Sequence, residues 1–128
     1  MNIQTHTNIN EALCGSALSL APGRAVVRMQ TTPAMGADAL NLVHGGFIFG
    51  MADYAAMLAV NDPNVVLGSA DTRFLKPVVV GETVQATAEV LEEAGKKRIV
   101  AVSITRDGTE VMSGTFVCFV LPKHVLAM

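Results

Sequence analysis

The sequence predicts an α+β domain in which a curved antiparallel β-sheet wraps around one long buried helix. Three observations carry that prediction. Residues 45–61 are rich in Ala, Met and Leu, all good helix formers, and contain no β-branched run. That stretch is apolar almost all the way round, so as a helix it belongs in an interior and not on a wet surface. Most of the chain after it reads as strands separated by turn residues, and a sheet with one face on the helix satisfies both patterns.

The elements follow in order. Asn8 or Asn10 is placed to cap a short helix through Ala12 and Leu13. Residues 16–21 and 24–32 read as two strands joined by the turn Ala21-Pro22-Gly23-Arg24. Residues 33–43, with Pro33 and Gly36, form a loop. The long helix ends near Asn61-Asp62-Pro63-Asn64, since proline cannot continue it. Val65 to Val80 is one strand or two, broken by Pro77 and ended by Gly81. Residues 82–91 alternate, with Val84, Ala86, Ala88 and Val90 on one side and Thr83, Gln85, Thr87 and Glu89 on the other. A turn at Glu93-Ala94-Gly95-Lys96 leads into a strand over 97–105. Arg106-Asp107-Gly108-Thr109 then makes a hairpin into a last strand over 110–121. The last two strands are apolar on more than one face, as expected for a sheet covered on both sides.

The 128 residues suffice for a single domain, 1–128, with a real core, and no linker, repeat or low-complexity segment divides it. Hydrophobic residues make up 51% and charged ones 16%, with a mean hydropathy of +0.44. That excess is read as hidden surface, most simply a subunit interface. The longest apolar run is interrupted by Asp53 and too short to span a bilayer. No basic segment precedes an apolar one at the N-terminus, so a secretory leader is not expected and a cytoplasmic protein is. A net charge of −2 offers no nucleic-acid footprint. Cys14 and Cys118 show no metal-ligand spacing and read as small buried hydrophobes.

The chemistry gathers in NLVHGGFIFGMADYAAMLAVN, residues 41–61. From Phe47 to Val60 the ionisable groups are Asp53 and the Tyr54 phenol. A carboxylate alone in such a run is costly to bury unless it is paired. A helix N-terminus presents free N–H groups and positive potential, and glycine lets a ligand approach them. Gly45 and Gly46 are thus an oxyanion site for a polarised carbonyl, on which Asp53 would act as nucleophile or as general base on water. Asp53 lies eight residues past Gly45, which is about 12 Å along a helix axis. That is too far for both to reach one reacting carbon. An antiparallel copy of the helix in a two-fold dimer brings Asp53 of one subunit to Gly45 of the other. His44 either orients the loop through its ring nitrogens or caps the helix. Asp38 and Asn41 precede the turn and either support it or contact ligand.

At these residues the chain resembles the hotdog-fold acyl-CoA thioesterases, in their phenylacetate-pathway (PaaI-like) branch. That family carries a His-Gly-Gly turn, a helix, and an acidic residue nine positions after the histidine, here His44-Gly45-Gly46 and Asp53 in HGGFIFGMAD. A second block is an aromatic, Leu, basic, Pro segment followed by Gly and an acidic residue. Here it is Phe74-Leu75-Lys76-Pro77 with Gly81-Glu82. The likeness runs from about Leu18 to Val120. It implies a five- or six-stranded sheet around the helix, dimers that often pair into tetramers, and hydrolysis of an acyl-CoA thioester. Asp53 is then the nucleophile or base and the Gly45 N–H polarises the carbonyl. The family often has Asn six positions before the histidine, where this chain has Asp38, with Asn41 three before. Some relatives carry Ser or Thr on the strand after the helix to position water, for which Ser69 and Thr72 are the candidates. Arg73, Lys76 and the cluster Lys96-Lys97-Arg98 offer cations for the phosphates of coenzyme A.

These readings predict a thioesterase that works without metal or cofactor. Two rivals stand beside it. One is an acyl-CoA-binding domain without hydrolysis, as in a bacterial regulator of fatty-acid synthesis; such regulators carry a DNA-binding segment for which this chain has no room. The other is a hydratase or dehydratase recruiting His44 and Asp53 for proton transfer.

Overall fold

In the computed structural model, which describes residues 1–128, a short helix α1 (Glu11–Cys14) precedes strands β1 (Ser16–Ala21) and β2 (Arg24–Gln30). The long helix α2 (Gly45–Val60) follows, then β3 (Val65–Phe74), β4 (Thr83–Ala94), β5 (Lys97–Arg106) and β6 (Thr109–Val120). Asn10 caps α1, its side chain accepting from the Ala12 N–H. Single 3₁₀ turns form at Pro33–Met35 and Val125–Ala127.

The strands form one antiparallel sheet in the order β1-β2-β4-β5-β6-β3, leaving β1 and β3 as edges. The sheet wraps around α2, which is the expected hotdog arrangement. Nine of the sixteen helix residues are buried, four of them Ala. Opposite them, Ala25, Ala86 and Ala88 are fully buried on β2 and β4. Small side chains on both surfaces let the helix axis sit close to the middle of the sheet, and Met29, Met51, Met57, Ile104 and Phe116 fill the space around it. The helix ends where Asn61 turns left-handed (φ 51°, ψ 44°) and its N–H closes on the Met57 carbonyl at 2.7 Å; Pro63 then forbids continuation.

Three boundaries differ from the sequence reading by two residues or more. The strand expected over 65–80 stops at Phe74, because the Leu75 and Lys76 N–H groups both turn onto the Val111 carbonyl (2.8 and 3.3 Å) and Pro77 has no N–H to pair. A loop over 75–82 follows, held by Thr31, whose hydroxyl donates to the Glu82 carbonyl at 2.6 Å and accepts from the Gly81 N–H at 2.9 Å. β4 continues to Ala94, beyond the expected 91, because a bulge between Val90 and Glu92 resets its register with β5; the turn shrinks to Gly95-Lys96. β2 ends two residues early, at Gln30.

The face of the sheet away from α2 is less apolar than the strand pattern suggested. Its centre is a shallow hollow of about 450 Å³ with Asp71, Arg73, Thr87, Glu89, Ser103 and Thr115 around it. Cys118 is buried and Cys14 half-buried, and both are free thiols. No helix is long and apolar enough to cross a membrane.

Candidate active site

The site is built on the two ends of the first half of α2. At its start, His44 occupies the cap position in an extended conformation (φ −62°, ψ 131°), and its side chain makes no cap hydrogen bond. The His44 N–H donates to the Met35 carbonyl at 2.9 Å, which pins the loop to the helix entrance. The N–H groups of Gly45 and Gly46 donate to no protein acceptor, so the positive end of the helix is open. It opens into a cleft of about 250 Å³ walled by Leu42, Val43, Ile48, Phe74, Val78 and Val111, with Lys76 also lining it. A side chain at Gly45 would meet the Phe74 ring at 3.6 Å, in ordinary contact. One at Gly46 would meet the His44 ring at 3.0 Å and push it aside. The His44 imidazole stands edge-on to Phe47, with ring centres 6.2 Å apart.

Two turns further along, Asp53 projects from the helix with its Oδ1 buried and without a hydrogen-bond partner. Burial raises its carboxyl above the ordinary value, and the His6 imidazole acts in the opposite direction. The neighbouring thiols respond in turn. Cys118 is pushed up to about 12, first by burial and then by the Asp53 carboxylate, and Cys14 is raised by the same two causes. Both cysteines are therefore protonated hydrophobes and not nucleophiles. Burial, then Glu11 and Cys14, raise the Tyr54 phenol.

The remaining sequence candidates divide by place. Asp38 works inside the loop: its Oδ1 accepts from the N–H groups of Leu40 (3.0 Å) and Leu42 (3.2 Å). Asn41 is left-handed (φ 64°), and its carbonyl accepts from Val80, tying the loop before the helix to the loop after β3. On β3, side chains alternate between faces. Phe74 faces Gly45, so Thr72 shares its side of the strand, while Arg73 lines the outer hollow. Ser69 is exposed, just past a bulge between Leu67 and Ser69. Of the cations, Lys76 is the one that lines the Gly45 cleft. Lys96-Lys97-Arg98 lies at the opposite end of β5, roughly 30 Å away at strand spacing; there Arg98 donates to the Gly95 and Lys97 carbonyls and pairs with Glu93 at 3.5 Å. No three His, Cys, Asp or Glu side chains come together to hold a metal ion.

Several residues at the site carried no sequence signal. Arg106 pairs with Glu82 at 3.3 Å, and Glu82 in turn accepts from the Val79 N–H at 2.6 Å, bracing the loop behind the cleft. His6 reaches the Asp53 region from the N-terminal segment. Both effects come from positions far apart in the chain, which no local pattern reveals.

The geometry meets known proteins at this point. The sequence profile of the thioesterase superfamily matches residues 40–113, from the loop before His44 into β6. Over 116 residues, 91% of its length, the chain is 49% identical to a methylthioribose-1-phosphate isomerase of Aquifex aeolicus, but it spans only 25% of that protein. It is 28% identical over 121 residues to the transcription factor FapR of Caldanaerobacter subterraneus, covering 94% of itself and 60% of FapR. Among solved structures, an uncharacterised protein, PH1136 from Pyrococcus horikoshii, is 48% identical with a TM-score of 0.97, covering 98% of this chain and 97% of that one. A mutant form of the phenylacetic acid degradation protein PaaI from Thermus thermophilus is 31% identical with a TM-score of 0.79, covering 87% and 96%.

Proposed function

The chain belongs to the thioesterase superfamily, and from that premise we propose that it hydrolyses an acyl-CoA thioester to the free acid and coenzyme A, at a site shared by two subunits. One observation carries the reading. A single helix holds a free N–H pair at Gly45 and Gly46 and a buried carboxylate oxygen at Asp53 with no partner. Each is an incomplete half of a carbonyl-attack site, and about 12 Å of helix separates them. A two-fold axis running across the helix pairs the halves twice.

In the assembled site the thioester carbonyl oxygen accepts from the Gly45 N–H, which favours the oxyanion as charge develops. Asp53 of the partner subunit either takes a proton from water, which then attacks the carbon, and passes that proton to the departing thiolate as the C–S bond breaks; or it attacks directly, expelling the thiolate, which takes a proton from solvent, and water then hydrolyses the acyl–Asp53 anhydride to the free acid and restores the carboxylate. A carboxylate stripped of hydrogen bonds is a better base than a solvated one, so the burial that raises its proton affinity also suits it to this role. The cleft walls favour an uncharged acyl group, and Lys76 is the cation nearest that site for the phosphates of coenzyme A.

The test is thiol release from a panel of short, medium, long and aryl acyl-CoAs. Asp53→Ala abolishes turnover; full activity in a folded Asp53→Ala protein sinks the proposal. Gly45→Pro removes the N–H without disturbing the helix, since proline suits the first helical position and His44 already has the extended backbone a following proline requires. It lowers kcat/KM by about 10²–10³. Mixing the two inactive variants restores roughly a quarter of wild-type activity, because half of the dimers then hold one intact site; no recovery after subunit exchange rules out a shared site. A second reading, ligand binding without hydrolysis, draws on the FapR likeness. Tight acyl-CoA binding with no thiol release across the panel establishes it.

A further inference from the structure

One cavity of the protein belongs to neither half of the proposed site. It encloses about 360 Å³ at the far end of α2, where residues 63–67 leave the helix and enter β3. That volume lies in the range of small-molecule sites. Pro63, Leu67 and Val125 give it apolar walls, and His6, Asn64 and His124 line it with polar groups. The His6 Nδ1 is 2.8 Å from the Thr5 hydroxyl, which leaves its Nε2 for a ligand. The His124 Nδ1 accepts from the Leu126 N–H at 3.0 Å, so its Nε2 carries the proton and donates. Asn64 is held by its backbone: its N–H donates to the Asp62 Oδ1 at 2.8 Å and its carbonyl accepts from the Leu121 N–H at 3.3 Å. Its side-chain amide keeps a donor and an acceptor to offer. Apolar walls with donors and acceptors between them suit a purine base, which is apolar on its faces and hydrogen-bonds along its edge. Lysines stand beside this cavity. The Lys96 carbonyl accepts from the Val120 N–H at 2.8 Å, and Val120 pairs with Val65 of the cavity. Lys97 pairs with Phe119, which pairs with Val66 of the cavity. Both lysine backbones are thus within two strand spacings, about 10 Å, of the cavity wall. Lys123 directly precedes His124. All three lysines are exposed and none is in an ion pair, whereas Arg98 is taken up by Glu93.

We propose that this cavity and its lysines hold the nucleotide end of coenzyme A, adenine in the cavity and phosphates on Lys96, Lys97 and Lys123, for the thioester bound at the partner's Gly45. The inference rests on the reading of Gly45 and Asp53 as one shared site. In the two-fold pair, Asp53 of one subunit stands level with Gly45 of the other. Asn61, where the cavity end of α2 begins, is eight residues past Asp53 and sixteen past Gly45. It is therefore about 12 Å along the axis from the partner's Gly45 and about 24 Å from its own. About thirteen bonds join the sulfur of coenzyme A to its first phosphorus, roughly 16 Å when extended, the reach of about four to five residues of chain. The arm spans the first distance and not the second. The subunit that supplies the carboxylate thus also supplies the nucleotide site. An arm folded back on itself would instead put the phosphates on Lys76 of the cleft, and the two arrangements are separable.

Binding is measured by calorimetry with coenzyme A itself, which needs no turnover. The triple variant Lys96→Gln, Lys97→Gln, Lys123→Gln raises the Kd about tenfold and flattens its dependence on salt. Adenosine 3′,5′-bisphosphate, which lacks the arm, competes with coenzyme A, and Asn64→Ala weakens it about threefold to tenfold, the worth of one hydrogen bond. Inorganic pyrophosphate competing equally well means that the lysines attract any polyanion, and overturns the cavity's part. A Kd unmoved by the triple variant, or moved by Lys76→Gln in its place, overturns the inference. In thiol release the triple variant raises KM far more than it lowers kcat. The subunit of origin is read in mixtures of Asp53→Ala and Gly45→Pro chains, where the working site takes its carboxylate from the Gly45→Pro chain. Changing the lysines on that chain raises KM more than changing them on the Asp53→Ala chain; an equal effect overturns the cross-subunit placement. Coenzyme A bound through these lysines without any thiol release removes the hydrolysis and keeps this site, whereas hydrolysis with a Kd indifferent to them does the reverse.

Discussion

Asp53→Asn is expected to make the protein more stable while it destroys the proposed activity. The Asp53 Oδ1 is buried with no partner, and a buried polar group left unsatisfied costs about 1–3 kcal/mol, more when charged. Asn keeps the shape and removes the charge, so it recovers the lower part of that range, about 1 kcal/mol. For a chain of 128 residues this raises Tm by about 4 °C. The sign with pH follows from linkage. Burial raises the folded-state pKa of Asp53 above its ordinary 3.8, so folding favours the protonated acid. The penalty is therefore fully present at neutral pH, shrinks as the pH falls through the raised folded value, and is gone below the ordinary one. The assay is thermal unfolding of wild type and Asp53→Asn from pH 8 to pH 4, at equal protein concentration because assembly shifts Tm. All other titrations are common to both proteins, so the gap in Tm isolates Asp53. A gap that is absent or reversed at pH 8, or one that does not narrow towards pH 4, refutes the reasoning; the first outcome means that the carboxylate is satisfied in the assembled protein.

Three further outcomes follow from contacts around the site. Gly114→Ala on β6 places a methyl 2.8 Å from Thr72 Cγ2 and 3.0 Å from the Asp71 carbonyl, which costs about 1–3 kcal/mol through overpacking and is read as a lowered denaturant midpoint. Asp38→Ala frees the Leu40 and Leu42 N–H groups, which costs about 1–2 kcal/mol; thiol release falls through a raised KM while the alkaline pH profile keeps its shape, since Asp38 holds the loop and does not react. Phe74→Ala opens the cleft beside Gly45 and shifts the acyl panel towards bulkier groups, whereas an unchanged preference places the acyl chain elsewhere.

Much of this was legible in the sequence because it is local. The Ala, Met and Leu content of α2, its stop near Asn61-Asp62-Pro63-Asn64, and the alternation of Val84, Ala86 and Ala88 each reflect a preference that neighbouring residues express on their own. The isolation of Asp53 in an apolar run was equally visible, and so was its distance from Gly45, because helical rise is a constant. The end of β3 at Phe74 was not legible. It depends on a carbonyl at Val111, 36 residues away in the chain, capturing two N–H groups. Nor did the bulge at Val90 announce itself, since inserting one residue leaves the apolar pattern nearly intact on both sides. The division of the cations, Lys76 in the cleft and Arg98 held at a far turn, likewise depends on where the strands lie and not on how the residues are spaced.

By itself, then, the sequence determined an antiparallel sheet around one helix, the family motif, and the positions of the two groups, Gly45 and Asp53, on which the proposed site rests. Those follow from short-range terms: propensity, periodicity and the exposed N–H groups at any helix start. The tertiary structure alone decided that no side chain caps that start, that the Asp53 oxygen meets no donor, and that Asn61 at the far end of the helix holds the N-terminal segment. Such facts are set by which distant groups fold into van der Waals contact, and their energies depend on burial, which belongs to the packed molecule and not to any stretch of chain.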